Sequence, residues 1–359
     1  MTRPARALLS AQALRQNFER VRAAAPNAKI MAVIKANAYG HGMSWAARVL
    51  RDADGFAVAS VEEGAELRAA DVAQPICLLE GFFDSTELAA ISRHRLAPVV
   101  HHAGQLSMLE QAAGLAGLDV WLKVDTGMHR LGFPPEIAAS AAARLAACPA
   151  VSGVRWLSHF ANADNRFDTA TKLQIERFLK LLDGLSVERS LANSAGILAW
   201  PASHLEWVRP GIMLYGASPL IGHSAVELNL KPVMTLESRL IAVHRRKKGE
   251  AVGYGGDWIC PEDMPVGVVA IGYGDGYPRH APAGTPVLVN GATAPLVGRV
   301  SMDMITVDLR AQPQARVDDP VVLWGEGLPV DEIAALAGTI SYELLCCVTS
   351  RIPRVESTM

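Results

Sequence analysis

A lysine stands where an apolar run ends near the start of the chain. The run from Ile30 to Ile34 leads directly into Lys35, and a polar stretch with Gly40 and Gly42 follows. At the end of a buried strand, desolvation disfavours the charged form of a lysine and lowers its pKa. A neutral lysine amine is the nucleophile that forms Schiff bases with carbonyl groups. The alternative is an ordinary solvated residue at the rim of a strand, and Lys35 by itself does not decide between the two.

Further polar residues follow later predicted strands. In chain order they are Lys123, Asp125 and Arg130, then His159, then Asn193 and Ser194, and finally Arg209 with Gly211, Ile212 and Tyr215. Each has a structural interpretation when taken alone: His159 as a hydrogen-bonded core histidine, and Lys123 and Arg130 as charges at a rim. Together they describe an electropositive cup. Because small residues and free backbone N–H groups near Ser194 and Gly211 favour phosphate, a Schiff-base lysine beside this cup fits pyridoxal 5′-phosphate.

The elements that must position these residues alternate between strand and helix. Strands are predicted at residues 29–36, 55–59, 75–80, 97–101, 119–124, 153–157, 189–192 and 207–215. Helices separate them, including one that Ser10 caps and one at residues 104–113. Eight such repeats predict a (β/α)₈ barrel, which carries its functional residues at the C-terminal ends of the strands. A doubly wound open sheet is the alternative, but the dinucleotide glycine fingerprint is absent after the first strand.

The pattern changes from about residue 228 to short β-segments separated by Gly, Pro and Asp turns. These segments are predicted at residues 233–244, 266–273, 285–289, 294–297, 304–309 and 320–324, with a helix at 331–337. Asn290-Gly291 is a hairpin signal between two of them. We therefore predict an α/β protein with two domains, an N-terminal TIM barrel over residues 1–225 and a mostly-β C-terminal domain over residues 226–359.

Composition excludes several classes of partner. The 359 residues are 50% hydrophobic and 19% charged, with a formal net charge of −2, so no nucleic-acid partner is expected. The densest basic cluster, residues 245–248, is interpreted as a solvated turn. Because the chain has no long apolar run and no apolar leader, we expect no membrane span, no signal peptide and a cytoplasmic location. The five cysteines lack metal-ligand spacing, so they are expected to be reduced, buried thiols, and no metal is expected.

Eight blocks of the sequence resemble one known family. They are residues 32–42, 123–132, 158–160, 193–194, 209–216, 252–255, 272–279 and 298–303. Their order over almost the whole chain is similar to that of bacterial alanine racemases of fold type III, somewhat closer to the catabolic isozyme type. The first block alone is less specific, because simpler pyridoxal-phosphate barrels share something like it. The resemblance implies interconversion of L- and D-alanine, which supplies peptidoglycan or feeds alanine catabolism.

The resemblance also implies catalytic roles. Lys35 would be the base on the D-alanine side and Tyr254 the base on the L-alanine side, on opposite faces of the cofactor. Tyr254 would come from the C-terminal domain of the other subunit, so a homodimer with shared active sites is expected. Without the resemblance, Tyr254 would be interpreted as a turn residue in a glycine-rich loop. Arg209 would hydrogen-bond the pyridine nitrogen, which a guanidinium cannot protonate readily, and His159 would connect Arg209 to Tyr254.

The remaining implied residues bind cofactor or substrate. The phosphate set is Tyr39, Ser194, Gly211, Ile212 and Tyr342. The substrate set is Arg130, Met302, Tyr273 and Asp303, of which Asp303 is equally compatible with a turn carboxylate. Lys123 matches a position that is often carbamylated in the family.

Three other functions are alternatives to racemisation. A decarboxylase or dehydratase of the same architecture is the runner-up, although decarboxylases usually present a carboxylate, not an arginine, to the pyridine nitrogen. A non-catalytic pyridoxal-phosphate carrier would lack the second domain. A sugar-phosphate aldolase would carry its Schiff-base lysine on a later strand.

Overall fold

The computed structural model describes residues 3–112 and 114–357. The outermost residues of the two predicted domains, 1–2 and 358–359, lie outside the described residues, as does residue 113 at the end of the predicted helix 104–113. The described chain begins with strand β1 (Arg6–Leu9) and helix α1 (Ala11–Ala24). As predicted, Ser10 caps α1, because its Oγ accepts the Ala13 N–H at 3.1 Å.

Eight parallel strands close into a barrel in the order of the chain. They are β2 (Lys29–Val33), β3 (Gly55–Val58), β4 (Ile76–Leu78), β5 (Leu96–Val100), β6 (Leu118–Lys123), β7 (Val151–Leu157), β8 (Arg189–Asn193) and β9 (Trp207–Arg209). β9 closes the barrel by pairing with β2, with Trp207 opposite Lys29. Most of these strand residues are buried, which explains their near-continuous apolar runs. The predicted TIM barrel is confirmed.

Helices alternate with the barrel strands. They are α2 (Lys35–Tyr39), α3 (Met43–Val49), α4 (Val61–Ala69), α5 (Leu88–Arg93), α6 (Ala103–Glu110), α7 (Pro135–Ala147), α8 (Thr169–Leu181) and α9 (Ser194–Ala199). α2 is unusual because its inner residues have left-handed backbone angles. These angles shape the segment that follows Lys35.

The C-terminal part is mostly strand, as predicted. Its elements are β10 (Met234–Arg246), β11 (Ala251–Val252), β12 (Trp258–Ile259), β13 (Met264–Val269), β14 (Pro286–Val289), β15 (Ala292–Val297), β16 (Ile305–Asp308), β17 (Pro320–Trp324), α10 (Val330–Leu336), α11 (Ser341–Cys347) and β18 (Arg354–Glu356). The main sheet has the order β13-β16-β15-β14-β17-β10-β1-β18. β1 thus belongs to the main sheet of the C-terminal part, where it is antiparallel to β10 and parallel to β18. The sequence pattern missed β1, because a four-residue strand carries little periodicity and its partners lie far away in the chain.

Three predicted strands extended at least three residues too far. β2 ends at Val33 rather than residue 36, because the backbone enters the left-handed region at Ala36. β9 ends at Arg209 rather than residue 215, because Pro210 has no N–H to donate and the chain then turns through a 3₁₀ segment. β13 ends at Val269 rather than residue 273, and another 3₁₀ turn follows at Tyr273–Asp275.

The cysteines are all free thiols. Cys77, Cys148 and Cys260 are buried, but Cys346 and Cys347 are exposed, so the prediction of burial is wrong for this adjacent pair. They lie at the end of α11, whose buried face is formed by Leu344 and Leu345. Within residues 3–112 and 114–357, no group of three or more His, Cys, Asp or Glu side chains is arranged to hold a metal ion. No helix in the described part of the chain is long and apolar enough to cross a membrane.

Candidate active site

The barrel opens at the C-terminal ends of its strands into a cavity of about 540 Å³. Its walls carry Val33, Lys35, Tyr39, Leu79, Glu80, Phe83, His101, Lys123, Arg130, Leu131, Leu157, His159, Asn193, Ser194, Arg209, Gly211, Ile212 and Tyr342. These lining residues include two lysines and two arginines but only one carboxylate, that of Glu80. The cavity therefore favours an anionic ligand.

The turn that carries Lys35 has a strained backbone. Residues 36 to 39 have φ angles of 53°, 53°, 53° and 50°, although none of them is glycine. Left-handed geometry costs a non-glycine residue roughly 1–2 kcal/mol. The buried His41 imidazole helps to hold it, with Nδ1 at 3.0 Å from the Ala38 carbonyl oxygen and 2.9 Å from that of Tyr39. The turn presents Lys35 and Tyr39 to the same cavity.

Helix α11 of the C-terminal part packs directly on this turn. A Cβ atom on Gly40 would lie only 2.1 Å from the Leu345 carbonyl oxygen, so only glycine permits the contact. Arg354 Nε donates to the Gly40 carbonyl at 3.0 Å. This packing brings Tyr342 beside Tyr39, with ring centroids 6.0 Å apart. Tyr342 of the C-terminal part thereby completes the cavity of the barrel in the same chain.

Hydrogen-bond donors converge near Gly211. Ser194 Oγ accepts the Gly211 N–H at 2.8 Å and the Met213 N–H at 3.3 Å, which leaves its own hydroxyl proton available. The Tyr39 hydroxyl lies 2.5 Å from where a Cβ on Gly211 would stand. Within the described residues, the Ile212 N–H has no acceptor. Burial raises the pKa of Tyr342 to about 12 and that of Tyr39 further, so both phenols stay protonated donors.

Arg209 is buried in the floor of the cavity. Its Nη1 donates to Ser190 Oγ at 2.5 Å, and its Nη2 donates to the Ser158 carbonyl at 2.6 Å. Nη2 also lies 3.4 Å from His159 Nδ1. Burial lowers the pKa of Arg209 to about 10, so the guanidinium remains charged at neutral pH. Burial and the neighbouring Arg209 and Lys123 charges hold the pKa of His159 well below its usual range, so this imidazole is neutral.

Lys123 is a second lysine in the cavity and is only 7% exposed. Burial, and then the charges of Arg209, Arg130 and Lys35, lower its pKa to about 8. The Asp125 carboxylate that follows it turns away to accept three backbone N–H groups of residues 127 to 129, each at 3.0 Å. Lys123 is therefore a lysine that loses its proton at a lower pH than an ordinary lysine does.

Comparison with known proteins identifies the family. Models of the alanine racemase N-terminal domain and the alanine racemase C-terminal domain match residues 9–219 and 233–356. The chain belongs to the alanine racemase family. The alanine racemases of Nitrosococcus oceani and Vibrio cholerae serotype O1 are 54% and 53% identical over 352 and 349 residues, with at least 97% of each chain covered.

Solved structures of alanine racemases agree with this assignment. A biosynthetic alanine racemase from Pseudomonas aeruginosa is 51% identical, with a TM-score of 0.97 over 99% of this chain and 100% of that one. An alanine racemase from Acinetobacter baumannii is 39% identical, with a TM-score of 0.93 at the same coverage. The predicted family, fold and enzyme class, an isomerase, are confirmed.

Four residues predicted from the alanine racemase resemblance lie outside the cavity of this chain. Tyr254, Tyr273, Met302 and Asp303 all belong to loops of the C-terminal part, and none of them lines the cavity. The side chains of Tyr254 and Met302 are 68% and 53% exposed. The Asp303 carboxylate accepts from Arg351 Nη2 at 2.6 Å. Their predicted action in a second subunit stays a prediction.

The cavity of this alanine racemase family member also contains residues that sequence reasoning did not select. Glu80 and His101 end the predicted strands 75–80 and 97–101, so the strand-end rule that found Lys35 could have found them. His101 Nε2 lies 3.1 Å from the Glu80 carbonyl oxygen, which fixes that wall. Phe83 lies in a loop beyond β4, and no pattern in the sequence indicated it.

Proposed function

We propose that the chain interconverts L- and D-alanine with pyridoxal 5′-phosphate bound in the barrel cavity. One observation carries this proposal: Lys35, the buried Arg209 and the donors near Gly211 converge on a single electropositive cavity. The alanine racemase names of relatives above 50% identity support the same substrate.

The chemistry of the donors fits this cofactor. The hydroxyls of Tyr39, Ser194 and Tyr342 and the Ile212 N–H would hold its phosphate, since none of these protons is committed to an acceptor within the described residues. Arg209 would donate to its pyridine nitrogen, and the Lys35 amine would anchor its aldehyde carbon. When bound, pyridoxal phosphate supplies an electron sink that acidifies the Cα–H of an amino acid.

Two proton carriers act at Cα in this proposal. Lys35 takes or delivers the proton on the D-alanine face, and the partner subunit's Tyr254 does so on the L-alanine face. Two carriers are needed because one group cannot reach both faces of a planar carbon. A phenol has a reference pKa of about 10, so Tyr254 requires cationic surroundings to act as a base. The positive charge of Arg209 would provide these surroundings through the neutral His159, whose Nδ1 lies 3.4 Å from Arg209 Nη2.

Two donors are free to bind the substrate carboxylate. Met302 accepts the Gly274 N–H at 2.8 Å through its carbonyl, whereas its own N–H has no acceptor within the described residues. Arg130 lines the cavity, and its guanidinium forms no ion pair with any described carboxylate. A carboxylate between these donors would place the amino-acid side chain beside the Met302 thioether, which favours a substituent as small as methyl.

A homodimer would bring the two halves of the site together. The C-terminal part exposes large apolar side chains at Tyr254, Met302, Met304 and Ile340. In the proposed dimer these side chains would be covered by the second copy. The proposed contact is with the cavity mouth of a second copy.

Product analysis tests the reaction. The purified protein, loaded with pyridoxal phosphate, is incubated with L-alanine and separately with L-serine, and D-isomers, pyruvate and amines are measured. We expect D-alanine without pyruvate. Pyruvate without D-alanine would replace the proposal by a dehydratase, and ethylamine would replace it by a decarboxylase.

We further propose that the product D-alanine serves peptidoglycan synthesis in the cytoplasm. Support comes from the 51% identical structure, which is named a biosynthetic enzyme. The expected result is that the gene restores growth of a D-alanine auxotroph without added D-alanine, with the protein in the cytosolic fraction. No restoration, with loss of growth on alanine as carbon source when the gene is deleted, would assign a catabolic role.

Lys123 is predicted to carry a carbamate, formed when its neutral amine adds to CO₂ and releases a proton. With a pKa of about 8, roughly half of this amine is neutral at pH 8, against under about 1% for an ordinary lysine. The carbamate would be stabilised by the adjacent Arg130 and Arg209. Incubation with ¹³C-bicarbonate should give a carbamate NMR signal that grows between pH 7 and 9 and is absent in Lys123→Arg. A wild-type spectrum without that signal at pH 9 would contradict the prediction.

A further inference from the structure

A network of two arginines and two aspartates lies away from the barrel cavity and joins the N-terminal Arg3 to three residues of the C-terminal part. Its centre is Asp275, which is fully buried. Asp275 Oδ2 accepts from Arg3 Nη2 at 2.5 Å and from the Gly272 N–H at 3.0 Å. Asp275 Oδ1 lies 3.4 Å from Arg351 Nε. A carboxylate without solvent requires such partners, because an unpaired buried charge is strongly destabilising.

Each arginine also binds Asp303. Arg351 Nη2 donates to Asp303 Oδ1 at 2.6 Å, and Arg3 Nη2 donates to the Asp303 carbonyl at 2.9 Å. Asp275 lies two residues after Tyr273, and Asp303 directly follows Met302. Both arginines therefore join the loop that carries Tyr273 to the loop that carries Met302.

The backbones of these two loops are in close contact. The Tyr273 N–H donates to the Ser301 carbonyl at 3.0 Å, and the Gly274 N–H donates to the Met302 carbonyl at 2.8 Å. A Cβ on Gly272 would lie 2.2 Å from the Ser301 carbonyl oxygen, so no larger residue fits there. The position of one loop thus fixes the position of the other, and the arginines fix the angle between them.

We infer that Asp275, Arg3 and Arg351 are positioning residues that hold the Tyr273 side chain and the Met302 N–H in register for a substrate carboxylate in the partner subunit. The inference rests on the proposed function, in which these two loops contact alanine. Charge pairing suits this task, because bonds from guanidinium groups to a carboxylate have fixed directions. Arg3 and Arg351 come from opposite ends of the chain, so both ends hold the same pair of loops.

Substitution should act on substrate binding more than on cofactor binding. Asp275→Asn keeps the shape of the side chain and removes its charge, and we expect the KM for L-alanine to rise by about tenfold or more with a smaller fall in kcat. The absorbance band of the bound cofactor at about 420 nm should be unchanged. Arg3→Gln is the second variant, because the Arg3 side chain is 31% exposed and Arg351 would still pair with Asp275 in its absence; a smaller rise in KM is expected. Arg316→Gln removes an arginine–aspartate pair elsewhere in the C-terminal part, whose arginine is 86% exposed, and should leave KM unchanged.

Hybrid dimers separate positioning from general damage. An Asp275→Asn chain and a Lys35→Ala chain, each with its own affinity tag, are co-expressed and the mixed dimer is isolated. Its only active site joins the barrel of the first chain to the unaltered loops of the second. We expect this site to recover the wild-type KM at half the maximal rate.

A hybrid KM that stays raised, or loss of the 420 nm band in Asp275→Asn, would overturn the inference, because the change would then act through its own barrel. A parallel hybrid of Lys35→Ala with Tyr254→Phe tests the proposed shared active site separately from the role of Asp275. If that hybrid is inactive, the proposal of a shared site is wrong. If it is active, a failure of the Asp275 hybrid counts against the positioning role alone.

Discussion

Replacing Lys35 by alanine is expected to abolish alanine racemisation, with a fall in kcat/KM of at least about 10⁴-fold. A general base alone contributes about 10²–10⁴-fold, and Lys35 is also the proposed anchor of the cofactor. Lys35 lines the electropositive cavity, and it stands at the start of the left-handed turn. Initial rates from L- and D-alanine measure the loss, and the cofactor band at about 420 nm should disappear with it.

Lys172→Ala is the matched control, since Lys172 is an exposed lysine on α8 that does not line the cavity. It should keep the wild-type rate and the band. Lys123 is the other lysine among the lining residues. If Lys35→Ala retains the band and Lys123→Ala loses it, the anchor is Lys123 and the assignment of Lys35 is wrong.

Tyr254→Phe should lower racemisation by about 10²–10⁴-fold while leaving the cofactor band intact. The ring is retained and only the proposed proton carrier is lost. Both directions must slow together, because L- and D-alanine are mirror images of equal free energy and share the same transition states. The side chain is 68% exposed in a single chain and lies outside its own cavity, so cofactor binding should not change.

Solvent exchange identifies the face on which Tyr254 acts. In D₂O, Tyr254→Phe should still exchange the Cα hydrogen of D-alanine, because Lys35 serves that face, without forming L-alanine at a comparable rate. Exchange of L-alanine with retention would reverse the assignment of the two bases. Equal loss of exchange from both enantiomers would remove the two-base proposal.

The barrel and most of the polar residues that line its cavity could be predicted from the sequence. Lys35, Lys123, His159, Ser194 and Arg209 are far apart in the chain, yet all five line one cavity. The prediction worked because a closed parallel barrel brings the C-terminal ends of all its strands to one rim. Apolar runs indicate the strands, and the polar residue after each run then marks the rim.

Local patterns failed where contacts between distant segments decide the structure. Of residues 36 to 39, only Asn37 is of a type that favours left-handed geometry, so the sequence does not indicate four such residues in a row. The docking of α11 on Gly40 is known only from the fold. The first strand pairs with β10 and β18, more than 200 residues away, and its four residues carry too little periodicity to show it.

The sequence by itself therefore determined the family, the barrel and most of the polar residues of the cavity, although Glu80 and His101 were missed. Burial gives the strands a recognisable apolar pattern, and the polar residues that interrupt this pattern lie in the blocks that resemble the family. Only the tertiary structure decided that Tyr342 completes the cavity of its own chain, whereas Tyr254 and Met302 stay exposed outside it. It also decided that Arg3 and Arg351 meet at the buried Asp275. The physical reason is that a buried charge is paired by whichever partners the folded chain brings within reach, and distance along the sequence does not encode that pairing.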